Sequence, residues 1–516
     1  MNSFMNGLVN NTNYTYTENG AITHRTTKSD LLDMFAMGAA MRSRSDADVV
    51  NMFKNAYAEN PVYALKCLFY IRDIRGGQGE RRFFKTCMRW LANTDREAAA
   101  RNLQYVPEFG RWDDLYAFVH TPLENDAFNF MKRQLALDVE CKTPSLLAKW
   151  LKSENTSSKE SKLLAKITRQ HFGFTARQYR KTLSILRSRI NVLEKLMSEN
   201  RWDEIEFDKI PSRAGMIYKN AFAKHDLERE RAGEQTYADF AKDTTTKVNA
   251  KVLYPYECVA AAIKKMCDRW GMYRRSSVAF DDTERLMINK YWDNLTDYFN
   301  NASFNGIAVV DTSGSMTGGW YNRGKGPDPI DVAISLGLYC AEHNSGPFAN
   351  HYISFASRPQ LIRTDGVDFC DKVERIYKTN LCDNTNIEAV FDLMLHTILY
   401  DHVDVKDIPQ NIIIISDMEF DSAVNSWGYD ERVNSRNIDT LLERIAKNWA
   451  RYGVEMPHLI FWNVDARQNN IPMIGQGRIS YVSGFSPSIF EIIMSGKTGY
   501  DLMMEKLNSE RYACIK

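Results

Sequence analysis

Long apolar runs are missing from this chain. No stretch of about 18 residues is apolar enough to cross a bilayer as a helix, so no membrane span is expected. Met1–Asn6 is polar and lacks a basic n-region, so no secretory signal is expected and the cytoplasm is the expected location. Cysteine is sparse: nine residues at irregular spacing, none paired as C-x-x-C. That pattern argues for reduced thiols and against both a disulfide framework and a zinc site. No G-K-[ST] follows a glycine-rich loop, no H-E-x-x-H occurs, and no G-x-S-x-G elbow surrounds a serine. P-loop nucleotide hydrolysis, zinc proteolysis and hydrolase-type nucleophilic attack lose their usual residues. The clustered carboxylates of a two-metal nuclease are also absent from the sequence. The expectation is a protein that is not an enzyme.

What is present is a chain of two characters. Its 516 residues suffice for two or three domains. The net charge of +1 hides a polarity: residues 1–304 carry 47 Lys and Arg against 38 Asp and Glu, and the remainder 19 against 27. A basic half suits a polyanionic partner, and an acidic half does not. Residues 1–28 are rich in Asn and Thr with little apolar periodicity, and read as a flexible arm. From Ser29, a candidate helix cap, amphipathic segments at 3.6-residue spacing follow as far as residue 303. They predict an all-α HEAT-like solenoid, in which paired helices bury their apolar faces on their neighbours. Residues 304–516 alternate apolar runs with helical patterns, which predicts an α/β, doubly wound, Rossmann-like domain on a parallel sheet.

The most informative stretch is Asp311-Thr312-Ser313-Gly314-Ser315-Met316, directly after the apolar run Ile307–Val310. A strand ending in D-x-S-x-S gathers a carboxylate and two hydroxyls in one loop. These are hard oxygen donors suited to a small divalent cation. Thr385 stands just before a predicted helix, and Asp417 closes the apolar run Ile412–Ser416. All three pieces fall at strand ends or helix starts, where open α/β sheets bind ligands. This set resembles the metal-ion-dependent adhesion site of von Willebrand factor A domains. The resemblance implies that Ser313, Ser315 and Thr385 reach Mg²⁺ (or Mn²⁺ or Ca²⁺) through hydroxyls. Asp311 and Asp417 would bind directly or through water, and the sixth position would await a carboxylate from a partner protein. Asp331, Glu419 and Asp421 lie near these loops in sequence and are candidates to tune the site, with solvent-facing acids as the alternative.

In the basic half, Arg72, Arg75, Arg81 and Arg82 flank the loop Gly76-Gly77-Gln78-Gly79 before a helix. Open backbone N–H groups and a helix start suit phosphate. The alternative is a tight turn whose arginines pair with Asp73 and Glu80. A second basic run contains Lys149, Lys162, Lys166, Arg169, Arg180 and Lys181, of which Lys162, Lys166 and Arg169 share one helix face. Tyr179 and His171 are candidates for base stacking, with core packing as the alternative. Trp112 reads as a packing anchor.

The peptides Arg72-Asp73-Ile74-Arg75-Gly76-Gly77-Gln78-Gly79-Glu80-Arg81 and Pro107-Glu108-Phe109-Gly110-Arg111-Trp112-Asp113-Asp114-Leu115 are more distinctive than composition explains. With a von Willebrand A-like segment behind them, they resemble an uncharacterised branch of the Ro/TROVE ribonucleoprotein family over residues 30–516. The resemblance implies a ring of helical repeats, closed with help from the von Willebrand A domain, that binds structured or misfolded non-coding RNA as a monomer. Two function classes follow. One is an RNA-binding protein of that type. The other is a metal-dependent protein-interaction scaffold without RNA.

Overall fold

The computed structural model describes residues 13–190, 192–264, 281–299, 304–317, 326–355, 358–379, 386–421, 439–474 and 478–516. They fall into two compact units. One comprises the described residues within Met1–Cys67, Leu253–Phe280 and Leu295–Ser509; the other spans Leu68–Val252, Asp281–Asn294 and Glu510–Lys516.

The first unit is built on a six-stranded sheet of β3 (Gly306–Asp311), β4 (His351–Phe355), β5 (Gln360–Arg363), β6 (Asn411–Ser416), β7 (His458–Asn463) and β8 (Ile479–Ser483), in the order β5-β4-β3-β6-β7-β8. The two central strands are apolar without alternation, and Ile412, Ile413, Ile414 and Ile415 are fully buried. Such runs belong to parallel strands covered on both faces. All neighbours pair in parallel except β4 and β5, which are antiparallel. The sheet is therefore mixed rather than wholly parallel. The edge strand β5 was not legible, because most of its residues are exposed and it carries no apolar run.

Two segments expected elsewhere belong to this unit. Residues 14–24, expected within a flexible arm, form a hairpin of β1 (Tyr14–Tyr16) and β2 (Ile22–His24). The hairpin is tied down: His24 N donates to Ile471 O at 3.0 Å, and His24 Nε2 meets Glu443 Oε1 at 2.8 Å. Helix α1 (Asp30–Met37) is capped by Ser29 as the sequence predicted, with Leu32 N donating to Ser29 Oγ. Its residues Leu31 to Met37 are all buried, and the helix packs against β8 rather than heading a helical array. A helix buried along nearly its whole length needs a core on more than one side, and its one buried acid, Asp33, is satisfied by Thr27 N and Oγ1, each at 2.7 Å. Helix α2 (Asp46–Glu59) packs on α1 and starts in a Ser45/Asp48 capping box.

The second unit is almost wholly helical. Its principal helices are α3 (Arg81–Thr94), α4 (Glu124–Glu140), α5 (Lys159–Phe172), α6 (Ala176–Arg189), α7 (Ser212–Lys224) and α8 (Asp282–Asp293). Helix α3 buries Phe83, Phe84, Cys87, Met88 and Leu91, one stripe at helical spacing. Phe84 and Phe109 both meet the ring of Phe69 edge-on, at 5.2 and 5.3 Å between centroids. Helix α6 ends at Arg189, and the short helix Leu193–Ser198 follows it. Gly173 ends α5 in the left-handed conformation, where a side chain would be strained. Returning to the first unit, α9 (Pro329–His343) lies against β3 so closely that a Cβ on Gly337 would stand 2.4 Å from Val310.

Candidate functional site

Asp311 is the last residue of β3, and Asp417 follows the last residue of β6, its hydrogen-bonded neighbour. From β3 the strand order runs one way through β4 and β5. From β6 it runs the other way through β7 and β8. The crevice at the carboxyl ends of β3 and β6 is therefore the topological switch point, the place where open α/β sheets take their ligands.

The two carboxylates there are buried. Asp311 Oδ1 accepts from Ser313 N at 2.9 Å, and its Oδ2 accepts from Ser416 Oγ at 2.6 Å. Asp417 Oδ1 accepts from Glu419 N at 3.1 Å. Ser313 Oγ and Ser315 Oγ lie 3.0 Å apart. Burial, and then the charge of Asp417, push the Asp311 carboxyl up to about 7. Thr312 Oγ1, in the same loop, is buried with no hydrogen-bond partner among the described residues. A fully buried carboxylate beside a second one, two hydroxyls within reach of each other and an unsatisfied oxygen form a hard-oxygen set that fits a small divalent cation. Asp311, Ser313, Ser315 and Asp417 would hold it. Thr385, the fifth expected ligand, lies outside the described residues.

Sequence reasoning missed two groups at this site. Arg467 lies beside Asp417, its Nη2 bonded to Asp417 Oδ2. Its Nη1 stands 2.8 Å from Glu18 Oε2, and its Nε 3.8 Å from Asp465 Oδ2. Burial alone would pull this guanidinium down, but Asp417, Glu18, Glu419 and Asp465 together outweigh it and hold it above its ordinary value. The second group is the turn between β1 and β2. Glu18 N donates to Glu419 Oε2 at 2.6 Å, Asn19 Nδ2 to Glu419 O at 2.6 Å, and Thr17 Oγ1 to Phe420 O at 2.7 Å. Thr17 and Phe420 are 403 positions apart, and no local pattern encodes that pairing. Glu419 is buried here and not a solvent-facing acid; burial pushes its carboxyl up to about 7. Asp331 is likewise raised to about 7 by burial and accepts from Tyr377 OH at 2.6 Å.

The basic residues divide sharply. Arg72 is buried, and its Nε donates to Asp114 Oδ2 at 2.8 Å. Arg81 reaches Asp114 Oδ1 at 2.7 Å and Asp113 Oδ2 at 2.6 Å. Arg111 and Lys152 add to Asp113 at 3.2 and 3.1 Å. Asp73 is held by the Arg511 guanidinium and by Tyr512 OH at 3.0 Å. The two distinctive peptides are thus each other's partners inside the helical unit. Gly110 is required there, since a Cβ would fall 2.4 Å from Asp114 Oδ2 and 2.9 Å from Arg72 Nε. Gly77 is required as well, for its Cβ would fall 2.0 Å from Tyr70 O. Glu80 caps α3, its Oε1 accepting from Arg82 N at 2.9 Å.

Arg72 and Arg81 are therefore corrected from phosphate candidates to fold-internal ion-pair partners. Arg169 is engaged too, with Glu154 Oε1 at 2.7 Å. Tyr179 is buried and donates to Lys152 O, and His171 lies 4.2 Å from the Phe128 ring and meets Glu124; both serve packing. Trp112 stacks on Phe130 at 5.4 Å, as a packing anchor would. Arg75 is exposed, with Nη1 on Glu108 O at 2.8 Å. Arg82 is half-buried, as is Lys149, whose Nζ is 5.8 Å from the Trp150 ring. Lys162 and Lys166 on α5, and Arg180 and Lys181 on α6, are exposed and form no ion pair among the described residues.

Comparison with known proteins places these features in a wider group. Residues 305–513 match a family model described as Domain of unknown function (DUF7788). An uncharacterized protein, L728, of Acanthamoeba polyphaga mimivirus is 29% identical over 526 residues, covering 94% of this chain and 85% of that protein. The crystal structure of the Deinococcus radiodurans RO (RSR) protein aligns over 96% of both chains at 16% identity with a TM-score of 0.36, too weak a likeness to establish a common fold. Residues 17–172 and 138–303 match the model described as Domain of unknown function (DUF2828), more than half of the sequence, and the chain belongs to that family.

Proposed function

We propose that this chain is a non-enzymatic RNA-binding protein of Ro/TROVE type. A basic, HEAT-like helical half holds structured or misfolded non-coding RNA by its phosphates. A von Willebrand A-like module carries Mg²⁺ or a similar divalent ion at the switch point. The observation that carries the RNA reading is the division of the cations. Lys162, Lys166, Arg180 and Lys181 stay exposed and without acidic partners among the described residues, in the half of the chain with a surplus of positive charge. Unpaired cations on two helices in succession suit a polyanion, with affinity falling steeply as salt rises. The likeness of the two glycine- and arginine-rich peptides to the Ro/TROVE family supports the same reading. The direct experiment is purification from the source cells at moderate salt, followed by sequencing of any RNA that accompanies the protein. A discrete, nuclease-protected RNA is expected, and RNA no richer than background would refute the reading.

A second reading is favoured by the switch-point oxygens themselves. A cation held by Asp311, Ser313, Ser315 and Asp417 would offer an open coordination position to a carboxylate of a partner protein. In this reading the chain is a metal-dependent scaffold. A protein partner that co-purifies and is released by EDTA would support it, and one retained in EDTA would not.

A further inference from the structure

The switch-point carboxylates are not left to themselves. Asp417 is buried, and its two oxygens are both engaged: Oδ1 by Glu419 N at 3.1 Å and Oδ2 by the Arg467 guanidinium. Arg467 is about three-quarters buried and also spans to Glu18 at 2.8 Å. Asp465 and Glu419 add to its acidic surroundings. Four carboxylates thus stand around one fixed positive charge, beside the loop of Ser313 and Ser315. Arginine cannot shed its proton, so this charge cannot be switched off by pH.

We propose that Arg467 is a built-in counter-cation of the switch point, which keeps Asp417 paired in the absence of a divalent ion and lowers the affinity for that ion. The inference rests on the divalent-cation reading given above. A divalent ion approaching Asp417 meets a fixed positive charge at low dielectric and must share or displace the guanidinium at Oδ2. Glu18, on the turn between β1 and β2, holds the opposite nitrogen, so the N-terminal hairpin fixes where the guanidinium sits. Arg467 is therefore a residue that sets affinity and not a ligand.

The test is direct binding of Mn²⁺ to the full-length chain, followed by electron paramagnetic resonance or calorimetry, in the parent and in Arg467→Gln. The expected result is affinity tighter by about tenfold in Arg467→Gln, from removal of one nearby charge. Arg467→Lys should move in the same direction by less, because an ammonium keeps the charge but not the planar fork. The lysine variant also serves if Arg467→Gln fails to fold. Equal or weaker binding in the variants, with clear binding in the parent, would overturn the role of Arg467 and leave the cation site standing. No Mn²⁺ binding in the parent or in any variant would overturn both, through failure of the cation site itself. Binding in Arg467→Gln alone would support the proposal in its strongest form.

Discussion

The two units treat charge in opposite ways. In the helical unit the conspicuous charges cancel inward: Arg72 and Arg81 face Asp113 and Asp114, and Arg511 faces Asp73. At the switch point of the sheet unit, carboxylates outnumber the cation that serves them. The contrast teaches that a glycine-rich, arginine-rich peptide can be the framework of a fold, while a plain acidic loop at a strand end is left with unspent donors. Buried pairs of the first kind are costly to break and add little when whole. An acidic excess of the second kind is costly to keep unless function or a cation requires it.

The sharpest way to break the comparison is Asp114→Ala. It would leave the buried Arg72 and the half-buried Arg81 without their shared carboxylate, and a loss of about 3–5 kcal/mol is expected in chemical denaturation. A loss below about 1 kcal/mol would show that the network is not structural. The exposed cations should behave in the reverse manner. Lys162→Glu, Lys166→Glu and Lys181→Glu together should leave the melting temperature unchanged. RNA affinity should fall, and the salt slope should shrink by about 0.7 for each lost phosphate contact to a single strand. An unchanged slope would remove these residues from the interface.

A smaller effect sharpens the sheet side. His458 is buried between Asn411 Oδ1 at 3.0 Å and Ser480 Oγ at 2.9 Å. Burial, and then Arg478, push its imidazolium from 6.5 down to about 4. The unfolded chain takes up this proton near pH 6.5 and the folded chain only near pH 4. His458 therefore contributes fully above 6.5, and that contribution declines as pH falls towards 4. Urea unfolding at successive pH values should show the decline, and His458→Gln should flatten it.

Much of this was legible in the sequence, for identifiable reasons. The apolar runs Ile307–Val310 and Ile412–Ile415 had to be buried strands, so Asp311 and Asp417 had to stand at their ends. The Ser29 cap and the stripe of α3 followed from local chemistry. Three things were not legible. The destination of α1 depends on a sheet more than 400 positions away, as Ser483 Oγ to Phe35 O, 448 apart, makes plain. The Thr17–Gly20 turn is rich in polar residues, which locally reads as mobile, yet its bonds go to Glu419 and Phe420. The pairing of Arg72 with Asp114 joins two peptides 42 positions apart, the first of which alone looked like a phosphate-binding loop. Pattern reveals periodicity and donors, but whether a charge already has a partner is a property of the fold.

Both readings proposed for this chain place a divalent cation at the switch point. The most direct measurement is the melting temperature of the parent and of Asp311→Asn, with EDTA and with Mg²⁺. Occupancy of the switch point predicts a rise in the parent, since a ligand at 100 times its dissociation constant adds about 2.7 kcal/mol, and no rise in the variant. A parent melting temperature that is the same in EDTA and in millimolar Mg²⁺ would contradict it.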